Sequence, residues 1–166
     1  SPGDEIIIQT PVYGPFFRVI EGSGRILVES RLKNQDGYYT MDMEDFESKI
    51  TDRTKAVMIC NPHNPSGRVW KREELEELSS ICLKHGLYII SDDIHCELVS
   101  NGHCHTFISA LSEAVKDRCI ICTSPSKAFN LAGIHVANCL ISNAEIRKNY
   151  RKIADDSHAA ENKVWQ

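Results

Sequence analysis

The sequence has no long hydrophobic run: no apolar stretch approaches the ~20 residues of a bilayer-spanning helix, and no signal-peptide pattern opens it. A membrane partner is therefore not expected. Charge of one sign is not in excess either. Lys and Arg total 19 against 23 Asp and Glu, a formal net charge of −4, which gives no electrostatic footprint for nucleic acid. Internal repeats and low-complexity linkers are missing. So is an even cysteine count: the seven cysteines sit largely in apolar contexts, such as Cys60, Cys82, Cys122 and Cys139. Buried free thiols in a reducing cytoplasm explain that better than a disulfide framework.

What is present suits one α/β unit. The 166 residues, 42% hydrophobic and 25% charged, suffice for one domain with a substantial core. The chain opens on Ser1-Pro2-Gly3-Asp4-Glu5, a turn signal without an initiator methionine, and closes on Lys163-Val164-Trp165-Gln166 without a helix stop. Residues 1–166 are accordingly expected to be the central piece of a longer protein.

Apolar runs alternate with helical periodicity. Residues 5–9, around Ile6-Ile7-Ile8, predict a buried strand, followed by a turn through Pro11, Tyr13 and Pro15 and a helix over about 16–21. Residues 25–30 read as a strand, and Asp42 caps a short helix running to Ile50, with Asp45 as its capping-box partner. A continuous apolar strand over 55–60 ends in Asn61-Pro62-His63-Asn64-Pro65-Ser66-Gly67, where prolines and glycine rule out regular structure. Residues 71–85 carry Leu75, Leu78 and Cys82 at helical spacing and stop at Gly86. Strands follow over 87–90, 118–123 and 138–141, then a polar helix from about Asn143. Strand, helix, strand with short links predicts a mainly parallel sheet, right-handed crossovers and helices on both faces.

Beyond Cys119-Ile120-Ile121-Cys122 comes Ser124-Pro125-Ser126-Lys127-Ala128-Phe129-Asn130-Leu131-Ala132-Gly133. Alone, Lys127 reads most simply as a surface lysine leaving a strand. At the mouth of a sheet it is also placed to form an imine, since a partly desolvated amine has a lowered pKa. Ligands bind outside the carboxyl ends of strands in open α/β sheets, and 61–67, 91–95 and 123–127 are polar, irregular strand exits. Adjacent exits would gather an amide, a carboxylate and an amine, which is what a pyridine aldehyde cofactor requires.

Asn64-Pro65-Ser66-Gly67, Ser91-Asp92-Asp93-Ile94-His95 and Ser124-Pro125-Ser126-Lys127, in this order, resemble the class I/II aminotransferase superfamily of fold-type I pyridoxal-phosphate (PLP) enzymes. Within it, the run from Asn61 to Trp70, the Asp-Asp-Ile-His block and the Ser-Lys-Ala-Phe-Asn-Leu-Ala-Gly run are most similar to the cystathionine β-lyase, or C–S lyase, group.

The resemblance implies a PLP-binding large domain and roles for individual residues. Lys127 matches the lysine that holds PLP and moves the Cα proton. Asp92 matches the carboxylate paired with the pyridinium nitrogen, and Asn64 the donor to the phenolic oxygen. Tyr13 matches the aromatic stacked on the ring. Ser124 and Ser126 match hydroxyls near the phosphate and the lysine, Ser124 being the expected phosphate ligand. His95 falls where the family often has a tyrosine near the cofactor, and Asp93 is expected to be structural.

The implied activity is β-elimination from a sulfur amino acid, giving thiol, pyruvate and ammonia. An aminotransferase is the alternative, and a non-catalytic binding module the alternative of another class. His135 stands where many aminotransferases have a phosphate-binding arginine, which favours the lyase. A homodimer is the implied assembly. The family's glycine-rich phosphate loop and substrate-carboxylate arginine fall before and after this stretch.

Two further patterns invite metal or redox readings. Cys119 and Cys122 form a CxxC, but residues three apart on a strand point to opposite faces. His95, Cys96, His103, Cys104 and His105 have zinc-like types without a second cysteine pair, so no metal is expected.

Overall fold

Residues 1–156 are described by the computed structural model; the expected open end at Lys163-Val164-Trp165-Gln166 lies outside them. The isoleucine run forms β1 (Glu5–Thr10), and period-two alternation divides it between two cores. Ile7 enters the larger core, while Ile8, with Ile6 against it, enters the smaller.

Strands β2 (Ile26–Arg31), β5 (Thr54–Cys60), β6 (Tyr88–Asp92), β7 (Cys119–Thr123) and β8 (Asn138–Leu140) complete a six-stranded sheet of order β2-β1-β5-β6-β7-β8. All neighbours pair in parallel except β7 with β8. The 124–137 link holds no crossover helix, only a 3-10 turn at Ala132–Ile134, and the chain returns antiparallel, a pairing that needs none.

Helices cover both faces, as expected. Phe16 and Ile20 of α1 (Pro15–Gly22) pack on Ile8 and Cys60. On the other face, Phe46 of α2 (Met43–Ser48), Leu75, Leu78 and Cys82 of α3 (Arg72–Lys84) and Val115 of α4 (Glu113–Lys116) meet Val57, Ile59, Ile89 and Ile121. Gly86 closes α3 at φ +68°, a conformation that costs a glycine little. Asn143 caps the polar helix α5 (Ala144–Asp156) by accepting from the Glu145 and Ile146 amides at 2.9 and 3.0 Å.

Several boundaries depart from expectation. The Asp42 carboxylate does accept from the Asp45 amide at 3.1 Å, but α2 ends before Ile50. Asp45 completes no capping box: its carboxylate accepts from Ser30 of β2 at 2.9 Å and pairs with Lys49 at 3.0 Å. Strand β6 runs on through Ser91 and Asp92, because Cys60 on one side and Cys122 on the other hold Asp92 in the ladder. A hairpin of β3 (Lys33–Gln35) and β4 (Tyr38–Thr40) was not foreseen, although Asp36-Gly37, both at positive φ, is a strong two-residue turn signal. Cysteine burial is also uneven: Cys60, Cys82 and Cys119 are buried, but Cys122 is half-buried and Cys139 exposed, because β8 is an edge strand.

Glu5 ties the start of β1 to that of β5. Its carboxylate accepts from Thr51 and Thr54 at 2.6 and 3.0 Å and pairs with Arg53 at 2.7 Å. The Thr51 hydroxyl, with Thr54 and Arg53, holds this carboxyl below the usual glutamate range, against the desolvation that raises it. A depressed carboxyl contributes stability above its unfolded pKa and loses it as pH falls through the folded value. Glu5→Gln is therefore expected to flatten the acid limb of a Tm-against-pH curve; an unchanged limb would remove Glu5 from the account.

Candidate active site

Because β1, β5, β6 and β7 are parallel and adjacent, their carboxyl ends emerge along one edge at a strand spacing of ~4.8 Å. Cys60, Asp92 and Cys122 are register partners across β5, β6 and β7. The exits carrying Asn64, Asp92 and Lys127 thus leave side by side, with the Tyr13 turn on the far side of β5.

Asp92 is half-buried at the floor of this edge, and its Oδ1 accepts from the Ile94 amide at 3.2 Å. Burial pushes its carboxyl above the usual aspartate range, with the neighbouring Asp93 adding to the rise; the Ile94 amide, His95 and Lys127 pull the other way. Both cationic candidates therefore act on Asp92 through space. Lys127 itself is exposed.

Asn64 and His95 line one cleft of about 550 Å³, together with Tyr38, Arg68 and His103. Tyr13 is 44% exposed, its ring edge-on to Phe16 at 6.3 Å. The Ser124 hydroxyl donates to the Val136 carbonyl at 2.6 Å and accepts from the Ser126 amide at 3.1 Å. Its single proton is thereby committed to shaping the lysine loop. His135 is exposed and left-handed at φ +55°.

The scaffold behind these groups was missed from sequence. Buried Asn61 donates to the Thr106 carbonyl at 3.1 Å and accepts from the Trp70 amide at 3.2 Å. The His63 and Arg68 backbones pair, pinching 63–68 into a small hairpin. Buried His63 places Nε2 2.8 Å from the Pro11 carbonyl, joining the Asn64 loop to the Tyr13 turn. Desolvation holds its imidazole below the usual range, so a neutral Nε2–H tautomer donates this bond. A histidine between two prolines was the only signal.

Arg68 bonds the Tyr39 carbonyl, pairs with Glu74 at 2.6 Å and lies 4.2 and 4.9 Å from the Tyr38 and Trp70 rings. Asp93 is fully buried, with Oδ1 2.9 Å from His105 Nε2. Among the described residues, no three His, Cys, Asp or Glu side chains gather as a metal site.

The family model for aminotransferase class I and II matches residues 1–161. Cystathionine beta-lyase PatB of Bacillus subtilis is 44% identical over 142 residues, covering 85% of this chain and 37% of that protein. Kynurenine–oxoglutarate transaminase 3 of Rattus norvegicus is 34% identical over 141 residues, covering 80% and 31%. The crystal structure of cystalysin from Treponema denticola, which contains a pyridoxal 5'-phosphate cofactor, superposes with a TM-score of 0.92 at 43% identity, covering 94% of this chain and 40% of that one. The chain spans under half the length of these relatives. It belongs to the class I and II aminotransferase family.

Proposed function

We propose that the protein carrying this chain is a PLP-dependent C–S lyase that eliminates thiol from a sulfur amino acid, and that residues 1–166 form the central part of its cofactor-binding domain. The observation that carries this reading is the convergence of the Asn64, Asp92 and Lys127 exits on one edge of a parallel sheet. The 44% identity to a cystathionine beta-lyase favours the lyase, while the transaminase at 34% supports the aminotransferase reading second.

The residues present fit the cofactor. Burial disfavours the charge on the Asp92 carboxyl, and a cation set against it, such as a protonated ring nitrogen, would restore that charge. Bound, the cofactor supplies an electron sink for charge left at the substrate Cα. Lys127 is the attachment point and carries the Cα proton. Asp92 keeps the ring nitrogen protonated, Asn64 donates its amide N–H to the phenolic oxygen, and Tyr13 offers its ring for stacking. His95 borders the cleft that Asn64 lines, which Asp92, Lys127 and Tyr13 do not reach. Ser124 braces the loop in the described arrangement, which leaves the Ser126 hydroxyl with a proton for the phosphate.

A cytoplasmic location fits seven free thiols, and no described helix is long and apolar enough to cross a membrane. A homodimer would cover Phe129, Leu131 and Ile134, exposed at 63%, 38% and 38% beside Lys127.

The test is to reduce the PLP-loaded full-length protein with borohydride and map the pyridoxyl adduct. One adduct on Lys127, with pyruvate released from cystathionine in the absence of a keto acid, is expected. Scattered labelling overturns the site, and a keto-acid requirement selects the aminotransferase. Asp92→Asn should keep the adduct yet lower turnover about 10²–10³-fold, the scale of losing one preorganised electrostatic partner.

A further inference from the structure

Asp92 and Asp93 are consecutive, and strand alternation sends their side chains to opposite faces. Cys60, the register partner of Asp92, belongs to the smaller core, whereas Asp93 follows Ile89 and Ser91 toward the larger one. Its amide still donates to the Cys122 carbonyl at 2.8 Å, so it is held in line with β6.

The Asp93 carboxyl is fully buried, and neither of its oxygens accepts a hydrogen bond among the described residues. His105 Nε2 stands 2.9 Å from Oδ1, an ion-pair distance without hydrogen-bond alignment, and the His105 side chain is only 7% exposed. A buried carboxyl left this way costs free energy that an apolar side chain of like volume does not. Packing alone therefore gives no reason for it. Residues 1–156 bury the pair by themselves, so its burial does not depend on chain beyond them.

The segment that carries His105 touches both neighbouring exits. The His105 ring lies edge-on to Phe107 at 4.5 Å. The next residue, Thr106, accepts at its carbonyl from the side-chain amide of buried Asn61 at 3.1 Å. Asn61 leaves β5 with its backbone amide donating to the Asp92 carbonyl at 2.9 Å, and Asn64 follows in the same loop. His105 and Thr106 thus grip the β6 and β5 exits, one each.

We propose that Asp93 and His105 are positioning residues: their contact clamps segment 105–106 across the two exits and so fixes the spacing between the Asp92 carboxyl and the Asn64 amide. The inference rests on the cofactor reading of those two groups. A pyridine ring holds its nitrogen and its phenolic oxygen at a fixed separation, and the groups that meet them must keep a matching one to within about 0.5 Å. Burial and then the Asp93 charge push the Asp92 carboxyl up, so the pair reaches Asp92 through space as well as through the chain.

The test uses the full-length protein stripped of PLP and reloaded, and reads PLP affinity, the borohydride adduct, Tm, and kcat and KM for pyruvate release from cystathionine. Asp93→Leu/His105→Phe replaces the pair with apolar side chains and should keep Tm within a few degrees. It should nonetheless weaken PLP binding about tenfold and lower kcat about tenfold at unchanged KM, the scale of losing a group that orients a ligand-binding side chain. Asp93→Asn still offers His105 an acceptor and should keep most of both. Full PLP affinity and kcat in the apolar double variant would overturn the proposal, as would an Asp93→Asn variant as impaired as the double one. Should the double variant not fold, His105→Gln against His105→Leu carries the same contrast. The glutamine amide reaches Asp93 and should hold PLP, the leucine should weaken it about tenfold, and equal affinities overturn the proposal. Absence of a Lys127 adduct in the unsubstituted protein would instead remove the cofactor reading, and the proposal with it.

Discussion

Lys127→Ala is expected to lower turnover of the full-length protein by about 10³-fold or more, because one substitution removes both the attachment point and the group that moves the Cα proton. The borohydride adduct should vanish with it. Since Lys127 is exposed on a loop beyond β7 rather than part of either core, thermal stability should change little. A small diffusible amine such as methylamine should restore part of the rate, as it can carry the proton the side chain no longer carries. Normal turnover in Lys127→Ala would sink the assignment, and lost activity with a large fall in Tm would make the lysine structural.

The largest stability effect is expected at Trp70. Its ring is fully buried, its indole N–H donates to the Cys60 carbonyl at 2.9 Å, and it meets His63 edge-on at 5.2 Å. Trp70→Ala empties the largest side-chain volume in the core beneath the 61–67 loop and should cost about 3–5 kcal/mol, read from the denaturant midpoint at constant m-value. Trp70→Phe keeps most of the packing and leaves the Cys60 carbonyl without its donor, a loss of about 1–3 kcal/mol. A cost below about 1 kcal/mol for the alanine variant would mean that the loop is held by Asn61 and His63 alone.

These two residues mark different parts of the site. Lys127, the proposed attachment point, stands on an exposed loop, whereas Trp70, Asn61 and His63 fix where the neighbouring loop stands. His63 bridges to the Pro11 carbonyl and so couples the Asn64 and Tyr13 segments. A rigid base under each strand exit keeps groups from several exits within reach of one ligand.

The sequence by itself determined the layer order and named the candidate site residues. The Ile6-Ile7-Ile8 run, the Leu75, Leu78, Cys82 stripe and Gly86 are local signals, since strand and helix periods and a left-handed glycine depend on near neighbours alone. Asn64, Asp92 and Lys127 were legible as candidates through the resemblance of their motifs to the family, whose cofactor asks for such functional groups at strand ends.

Only the tertiary structure decided what depends on pairing across the sheet. The order β2-β1-β5-β6-β7-β8 placed the three exits side by side, and β8 turned antiparallel. That reversal set Cys122 against Cys139 rather than Cys119. The tertiary structure also committed the Ser124 proton to Val136 and joined His63 to Pro11 across 52 residues of chain. The physical reason is common to all of these: register and burial are set by residues far away in sequence, and no local pattern encodes them.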